Sequence, residues 1–418
     1  MSSALKILAI FSLVVLAGRT QAQRTSLPVA KSQTWIASWG ASQQVPEPQN
    51  ALPADDMHDV TLRQIVHLSA GGDALRVHLS NAFGTTALHF TSVHIARAPS
   101  PSSSQIDVST DRSLTFAGSA DVIVPPGADF VSDPLDVAVA PLSDLAVTFH
   151  LDAAPARETG HPGSRATSYY LHGDSVSAAN LPDAKRIEHW YQVAEIDVRS
   201  APGAATIVAL GDSITDGHGS ATNGNNRWTD VLAQRLQADS QSRDIAVSNQ
   251  GIGGNHLLTD GLGPNALARF DRDVLAPAGV RWVIVLEGVN DLGALGQHAE
   301  SSSEEHAVLV QHVIAVYQQM IVRAHAHGLR IYGATITPFV GSHYYNPGPQ
   351  SEADRQAVNQ WIRAAGHFDA VIDFDAVVRD PQHPEQLLPS LDCSDHLHPS
   401  AAGYKVMGDA IPLDLFAR

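Results

Sequence analysis

The sequence predicts an α/β domain built on a five-stranded parallel sheet in a flavodoxin-like order, preceded by an all-β domain of jelly-roll-like sandwich type. Two patterns carry this. Up to about Val198 the chain reads as short strands punctuated by turns, with no long helical window. From Ala204 onward apolar strand-like runs alternate with amphipathic helices. Closely spaced strands without helices indicate an antiparallel sandwich, and strand–helix alternation indicates a parallel sheet covered on both faces. At 418 residues, with 44% hydrophobic and 17% charged residues, the chain is long enough for two or three domains and rich enough to fill their cores.

The elements follow in order. A positive start at Lys6, an apolar run from Ile7 to Gly18, and Thr20 and Ala22 at the −3 and −1 positions predict a signal peptide over residues 1–22. That run is too short to span a bilayer, which takes about 20 residues. No Cys follows it, no later segment reads as a membrane span, and the expected location is secreted or periplasmic. The β domain is predicted over 33–200, with mature structure beginning near Trp35. Its strands are Thr61–Leu68, Leu75–Leu79, Leu88–Ile95 and Leu145–Leu151, separated by Gly71-Gly72, Pro99, Pro101 and Pro125-Pro126-Gly127. Alternation of apolar and polar residues fits a half-buried sheet. The α/β domain is predicted over 204–418. Its strands are Thr206–Leu210, Ile245–Ser248, Arg281–Leu286, Leu329–Ile336 and Val371–Phe374. The helices are Trp228–Gln237, Ala266–Leu275, Glu304–His327, Glu352–Ala365 and a last one from Ala401 to Leu413.

The first strand of the α/β domain breaks at Gly211-Asp212-Ser213. A β-branched run ending at Gly and then Ser delivers a hydroxyl to the carboxyl edge of a parallel sheet, where ligands bind. A lone serine there reads more readily as a helix cap, and as a nucleophile it needs a base. Asp395-His396-Leu397-His398-Pro399 offers one. Residues three apart on a turn face the same side, so Asp395 can orient His398. His396 and Asp392 are competitors: His396 adjoins Asp395 and points elsewhere, and Asp392 lies six residues from His398. Between these blocks lie Asn249-Gln250-Gly251-Ile252-Gly253-Gly254-Asn255 and Glu287-Gly288-Val289-Asn290-Asp291. Each follows a predicted strand and can supply donors, a backbone N–H at a glycine or the Asn290 amide. Either block alone reads more readily as a glycine-rich turn or an Asx turn.

These four blocks, in this order, resemble the SGNH (GDSL-type) hydrolases. Arg227-Trp228, Glu287 and the stretches Trp35-Ile36-Ala37-Ser38-Trp39-Gly40, Arg63-Gln64-Ile65 and Leu79-Ser80-Asn81-Ala82-Phe83-Gly84 are similar to a secreted bacterial subgroup with an N-terminal β domain. The resemblance implies a three-layer catalytic domain and an esterase. It implies catalytic Ser213, His398 and Asp395, with an oxyanion hole of Ser213, Gly254 and Asn290. Whether Gly253 or Gly254 donates is left open. Deacetylation of plant polysaccharides and hydrolysis of aryl esters are the activities it suggests.

Other features bound the function. The formal net charge of −17 argues against nucleic acid as a partner and favours a neutral or apolar substrate, and the resemblance implies a small-molecule or polysaccharide ester. No stable membrane insertion is expected once the leader is cleaved. No metal-ligand spacing stands out among the 21 histidines, so neither metal nor other cofactor is expected. Cys393 is the only cysteine, which excludes an intramolecular disulfide. Trp35, Trp39, Tyr169, Tyr170, Trp190 and Tyr191 are candidates for stacking on a glycan, with a place in the core as the plainer reading. Two alternatives accompany the esterase. One is acyl transfer to an alcohol on the same acyl-enzyme, and the other is a glycan-binding surface protein with a vestigial hydrolase domain.

Overall fold

Alternating strands in the first half pair into two larger antiparallel sheets and a two-stranded ribbon of Gly160–Pro162 with His189–Tyr191. One runs in the order Thr34–Gly40, Val193–Ser200, Ala74–Ser80 and Asp129–Val131, and the other is built around Val60–His67, Asp144–Leu151 and Leu88–Arg97. Inward residues from both sheets share one core, among them Ile36, Val77 and Val198 from the first and Leu62, Phe149 and Phe90 from the second. The computed structural model describes residues 34–297 and 301–417. The expected signal peptide lies outside the described residues.

The second half is an α/β layer structure. Its strands, β1 (Ala205–Gly211), β2 (Ile245–Gly251), β3 (Val280–Leu286), β4 (Arg330–Ala334) and β5 (Ala370–Ile372), lie in the spatial order β2-β1-β3-β4-β5. All pairings in this sheet are parallel. This is the flavodoxin-like order. Every residue of β1 is buried, as a central parallel strand requires. The flanking helices are α1 (Ser213–Asp216), α2 (Trp228–Ala238), α3 (Val289–Ala294), α4 (Ser303–Ala326), α5 (Pro349–Arg363), α6 (Phe374–Val378) and α7 (Ala401–Ala410). Helix α2 packs with α7, and α4 packs with α5.

Three local readings are corrected. Phe374 is not in a strand: Asp373 accepts from Ala376 N and caps α6, so β5 stops at Ile372. The helix expected over Ala266–Leu275 reduces to one wide turn, Asp271–Leu275. Arg269 and Asp273 point inward there, with Arg269 donating to the carbonyls of Gly211 and Gln250. Finally, α4 is long and apolar enough by composition to cross a membrane. Its buried residues include Val313, Tyr317, Met320 and Ala324, and it packs on α5 and β4 as a layer of this fold.

The two halves meet along Thr34–Gly40 and β2. Ala37 N donates to Thr206 Oγ1, and Val247 N donates to Ser69 Oγ at 2.9 Å. The register that positions the site is simple. Gly211 lies opposite Gly251 on one side and Leu286 on the other, so the loops after β1, β2 and β3 leave the sheet side by side.

Candidate active site

Gly211 ends β1 because nothing larger fits. A Cβ there would lie 2.2 Å from Thr215 Oγ1 and 2.4 Å from the Leu286 carbonyl. The chain turns directly into α1, whose N-cap Asp212 accepts from Ile214 N at 2.9 Å. Ser213 opens that turn with 7% of its surface exposed. Its Oγ is 2.8 Å from His398 Nε2. His398 Nδ1 in turn is 2.6 Å from Asp395 Oδ2. The other oxygen, Asp395 Oδ1, accepts from His398 N at 2.8 Å and Leu397 N at 3.0 Å, so the carboxylate holds both the ring and its backbone. Burial raises the Asp395 pKa, but the His398 ring and these two amides outweigh it and hold the carboxyl well below the usual range. The competitors pair with each other: His396 Nδ1 is 2.7 Å from Asp392 Oδ2. Cys393 sits nearby, its thiol pushed up to about 12 by burial and by Asp395.

The loops after β2 and β3 bring Gly254 and Asn290 to the same edge. Gly254 has φ of 68°, the left-handed region that favours glycine, and a Cβ there would meet Leu262 at 2.8 Å. Gly253 lies outside the left-handed region, and a Cβ on it would meet only Asp216 Oδ2, at 3.9 Å. Asn290, near the start of α3, is buried. Its Nδ2 donates to Asn255 O at 2.7 Å, and its Oδ1 accepts from Tyr345 OH at 2.7 Å. This fixes which face of the amide carries the donors. Asp291 accepts from Leu257 N and Leu258 N and so ties the two loops together.

Several neighbours have no role assigned from the sequence. Fully buried Arg269 binds Asn255 Oδ1 at 3.0 Å as well as the strand-end carbonyls, bracing the loops from below. Asp212 and Glu287 are buried beside it. Burial pushes Asp212 up to about 7 and Glu287 well above the ordinary carboxylate range, with nearby acids adding to both. His218 follows α1, and its ring centre is 4.1 Å from that of His398. From the β half, His161 Nε2 reaches Asp216 Oδ1 at 2.9 Å and Arg165 Nη2 donates to His218 Nδ1 at 2.8 Å. Tyr344, 49% exposed, stands edge-on to His398 at 5.5 Å between ring centres. No local signal marks His161, Arg165, His218 or Tyr344, because their partners lie tens of positions away. The stacking candidates lie elsewhere. Trp39, Tyr169, Tyr170, Trp190 and Tyr191 are buried, and Trp35 is capped by the Arg76 guanidinium.

A serine hydroxyl bonded to an imidazole at the carboxyl edge of a parallel sheet defines a hydrolase-type site. Residues 209–406 match the model of the GDSL-like lipase/acylhydrolase family. The chain therefore carries a domain of that family and is a carboxylic ester hydrolase. Solved structures similar to it include a putative lipolytic protein of the G-D-S-L family from Desulfitobacterium hafniense DCB-2, at 26% identity and a TM-score of 0.36, covering 49% of this chain and 97% of that one. An acetyl xylan esterase from Geobacillus stearothermophilus matches at 24% identity and a TM-score of 0.38, covering 49% and 92%. A lipase/acylhydrolase from Enterococcus faecalis matches at 23% identity and a TM-score of 0.38, covering 51% and 97%. Comparison with curated proteins gave no match.

Proposed function

We propose that this protein is a secreted serine esterase that cleaves small acyl esters through an acyl-enzyme, with acetyl esters of plant polysaccharides or aryl esters as substrates. The observation that carries the mechanism is the unbroken chain Ser213 Oγ–His398 Nε2–His398 Nδ1–Asp395 Oδ2, at 2.8 and 2.6 Å. His398 Nδ1–H donates to Asp395 Oδ2, which leaves Nε2 free to accept the Ser213 proton. Oγ then attacks the ester carbonyl. The oxyanion accepts from Ser213 N, Gly254 N and Asn290 Nδ2. Collapse expels the alcohol, which takes its proton from His398 Nε2 and leaves an acyl-Ser213. Water, deprotonated by the same nitrogen, then releases the acid. The fixed donors matter most, because they are aimed before the charge develops. Every participating group here is a side chain or backbone amide of this chain, so turnover is expected to persist in EDTA.

The test compares wild type with Ser213→Ala on short-chain aryl esters and acetylated glycans. Loss of turnover on the order of 10⁴-fold or more, with folding intact, is expected. Retention of a tenth of the activity overturns the assignment. Pull-down on insoluble xylan with the same variant separates glycan binding from turnover, and product analysis with added alcohol separates hydrolysis from acyl transfer.

A further inference from the structure

This inference rests on the esterase reading and concerns the side of the site that receives the alcohol. The leaving alkoxide takes its proton from His398 Nε2, so groups packed around the open edge of that ring border the leaving alcohol. His218 lies on the His398 ring, and Tyr344 stands edge-on to both rings. Beyond His218 lies Arg165. Its Nη2 donates to His218 Nδ1 at 2.8 Å, its Nε is buried with no hydrogen-bond partner, and among the described residues no carboxylate forms an ion pair with it. His218 is a neutral acceptor: burial, with the neighbouring His398 and Arg165, lowers its pKa to about 4. The guanidinium thus stands in this wall with no carboxylate in direct contact.

The Arg165 backbone is held in place for this. Its φ is 52°, an unfavourable region for a non-glycine residue. Asn223 N donates to its carbonyl at 2.9 Å, and Arg227 Nη2 donates to the preceding Ser164 carbonyl at 2.5 Å. Both anchors come from the α/β half, so the β half's loop is fastened at the site. The space in front of it is kept open by two glycines. A Cβ on Gly163 would lie 3.6 Å from Arg165 Nη2 and 3.9 Å from Asp216 Oδ2. A Cβ on Gly253 would also lie 3.9 Å from Asp216 Oδ2, with no other atom within 4 Å. Asp216 Oδ1 is engaged by His161, and Oδ2 faces this gap.

We propose that Arg165, Asp216 and Tyr344 form the subsite for the leaving alcohol and select a polyhydroxylated, sugar-like one. A guanidinium that donates and a carboxylate that accepts, on either side of one small space, match the hydroxyl groups of a sugar ring. The exposed face of Tyr344 offers an apolar surface for its C–H face. Arg165 and Tyr344 are specificity-determining residues in this reading, and Arg165 does more than hold His218.

The experiment measures kcat/KM for an acetylated methyl xyloside and for 4-nitrophenyl acetate, whose alcohol has no hydroxyl groups to engage. The quantity read is the ratio of the two, in wild type, Arg165→Met and Tyr344→Ala. Each substitution is expected to lower the ratio by about tenfold or more, the loss of a charged hydrogen bond or of a contact surface. Tyr344 is half exposed, so its variant reports even if Arg165→Met fails to fold. A ratio within about twofold of wild type in the folded variants, whatever the absolute rates, overturns the subsite and reduces Arg165 to a support for His218. Wild type that cleaves only the aryl ester overturns the subsite and leaves the esterase standing. Wild type that cleaves neither overturns both.

Discussion

Replacing Asp395 by Asn tests the orientation of the base at a single atom. The Asn carbonyl can keep the two amide bonds, from His398 N at 2.8 Å and Leu397 N at 3.0 Å, so the turn should stand. The atom replacing Oδ2 becomes an NH₂ facing Nδ1 at 2.6 Å. Two donors cannot share that contact, so Nδ1 gives up its proton and Nε2 carries it. His398 then presents an N–H to Ser213 and cannot accept. Reaching the productive tautomer leaves a buried donor unpaired, which costs about 1–3 kcal/mol. The imidazolium formed in the transition state also loses its counter-charge. At the 2.6 Å contact, Coulomb attraction is about 6 kcal/mol at an effective dielectric of 20, and solvent access to the Asp395 edge cuts this roughly in half. Together these give about 4–6 kcal/mol, or roughly 10³–10⁴ in kcat. Steady-state kinetics on a soluble aryl ester, with thermal melts as a folding control, measure it. The loss should fall on kcat and leave KM nearly unchanged. A loss under about thirtyfold, or one carried by KM, refutes the role given to Asp395.

The other predictions concern the same site. His398→Ala should cost as much as Ser213→Ala and the double variant little more, because the two act as a unit, while His396→Ala should be much milder; reversed severity in single-turnover assays would move the base to His396. Asn290→Ala should lower kcat by about 10²–10³ if its amide donates to the oxyanion, and a change of less than about threefold counts against it. Burial raises the Asp212 pKa from its ordinary 3.8 to about 7, so its contribution to stability is full below the lower value and is lost as pH rises through the upper one. Between pH 5 and 8 this amounts to about 3 kcal/mol, so denaturant titrations should show a flatter pH dependence for Asp212→Asn, and an unchanged slope would contradict the burial argument. Cys393, with its thiol pushed up to about 12, should resist iodoacetamide at pH 8, and rapid inactivating alkylation would show a thiolate the burial forbids.

The sequence by itself determined the elements whose causes are local. The β1 run ending in Gly211, the Asp-x-x-His turn that lets Asp395 hold both ring and backbone of His398, and the two loops after β2 and β3 are each set by a few adjacent residues. Strand–helix alternation gave the parallel sheet for the same reason, since periodicity records which face each residue buries. Boundaries slipped where one side chain redirected the backbone, as Asp373 did by capping α6 and Arg269 by turning inward. Tertiary structure alone decided what surrounds the base. Arg165 and His218 are 53 residues apart and Tyr344 and His218 are 126 apart, and each belongs to a different element. The Arg165–His218 contact depends on how the β half packs against the α/β half, and the Tyr344–His218 contact on how the loop between β4 and α5 folds over the sheet. No period or spacing encodes that packing, because it is fixed by the sum of many contacts across the interface, such as Ala37 with Thr206 and His161 with Asp216. Trp39 and Trp190, which looked like binding residues, are buried in the core of the β half, while Tyr344 stays exposed beside His398.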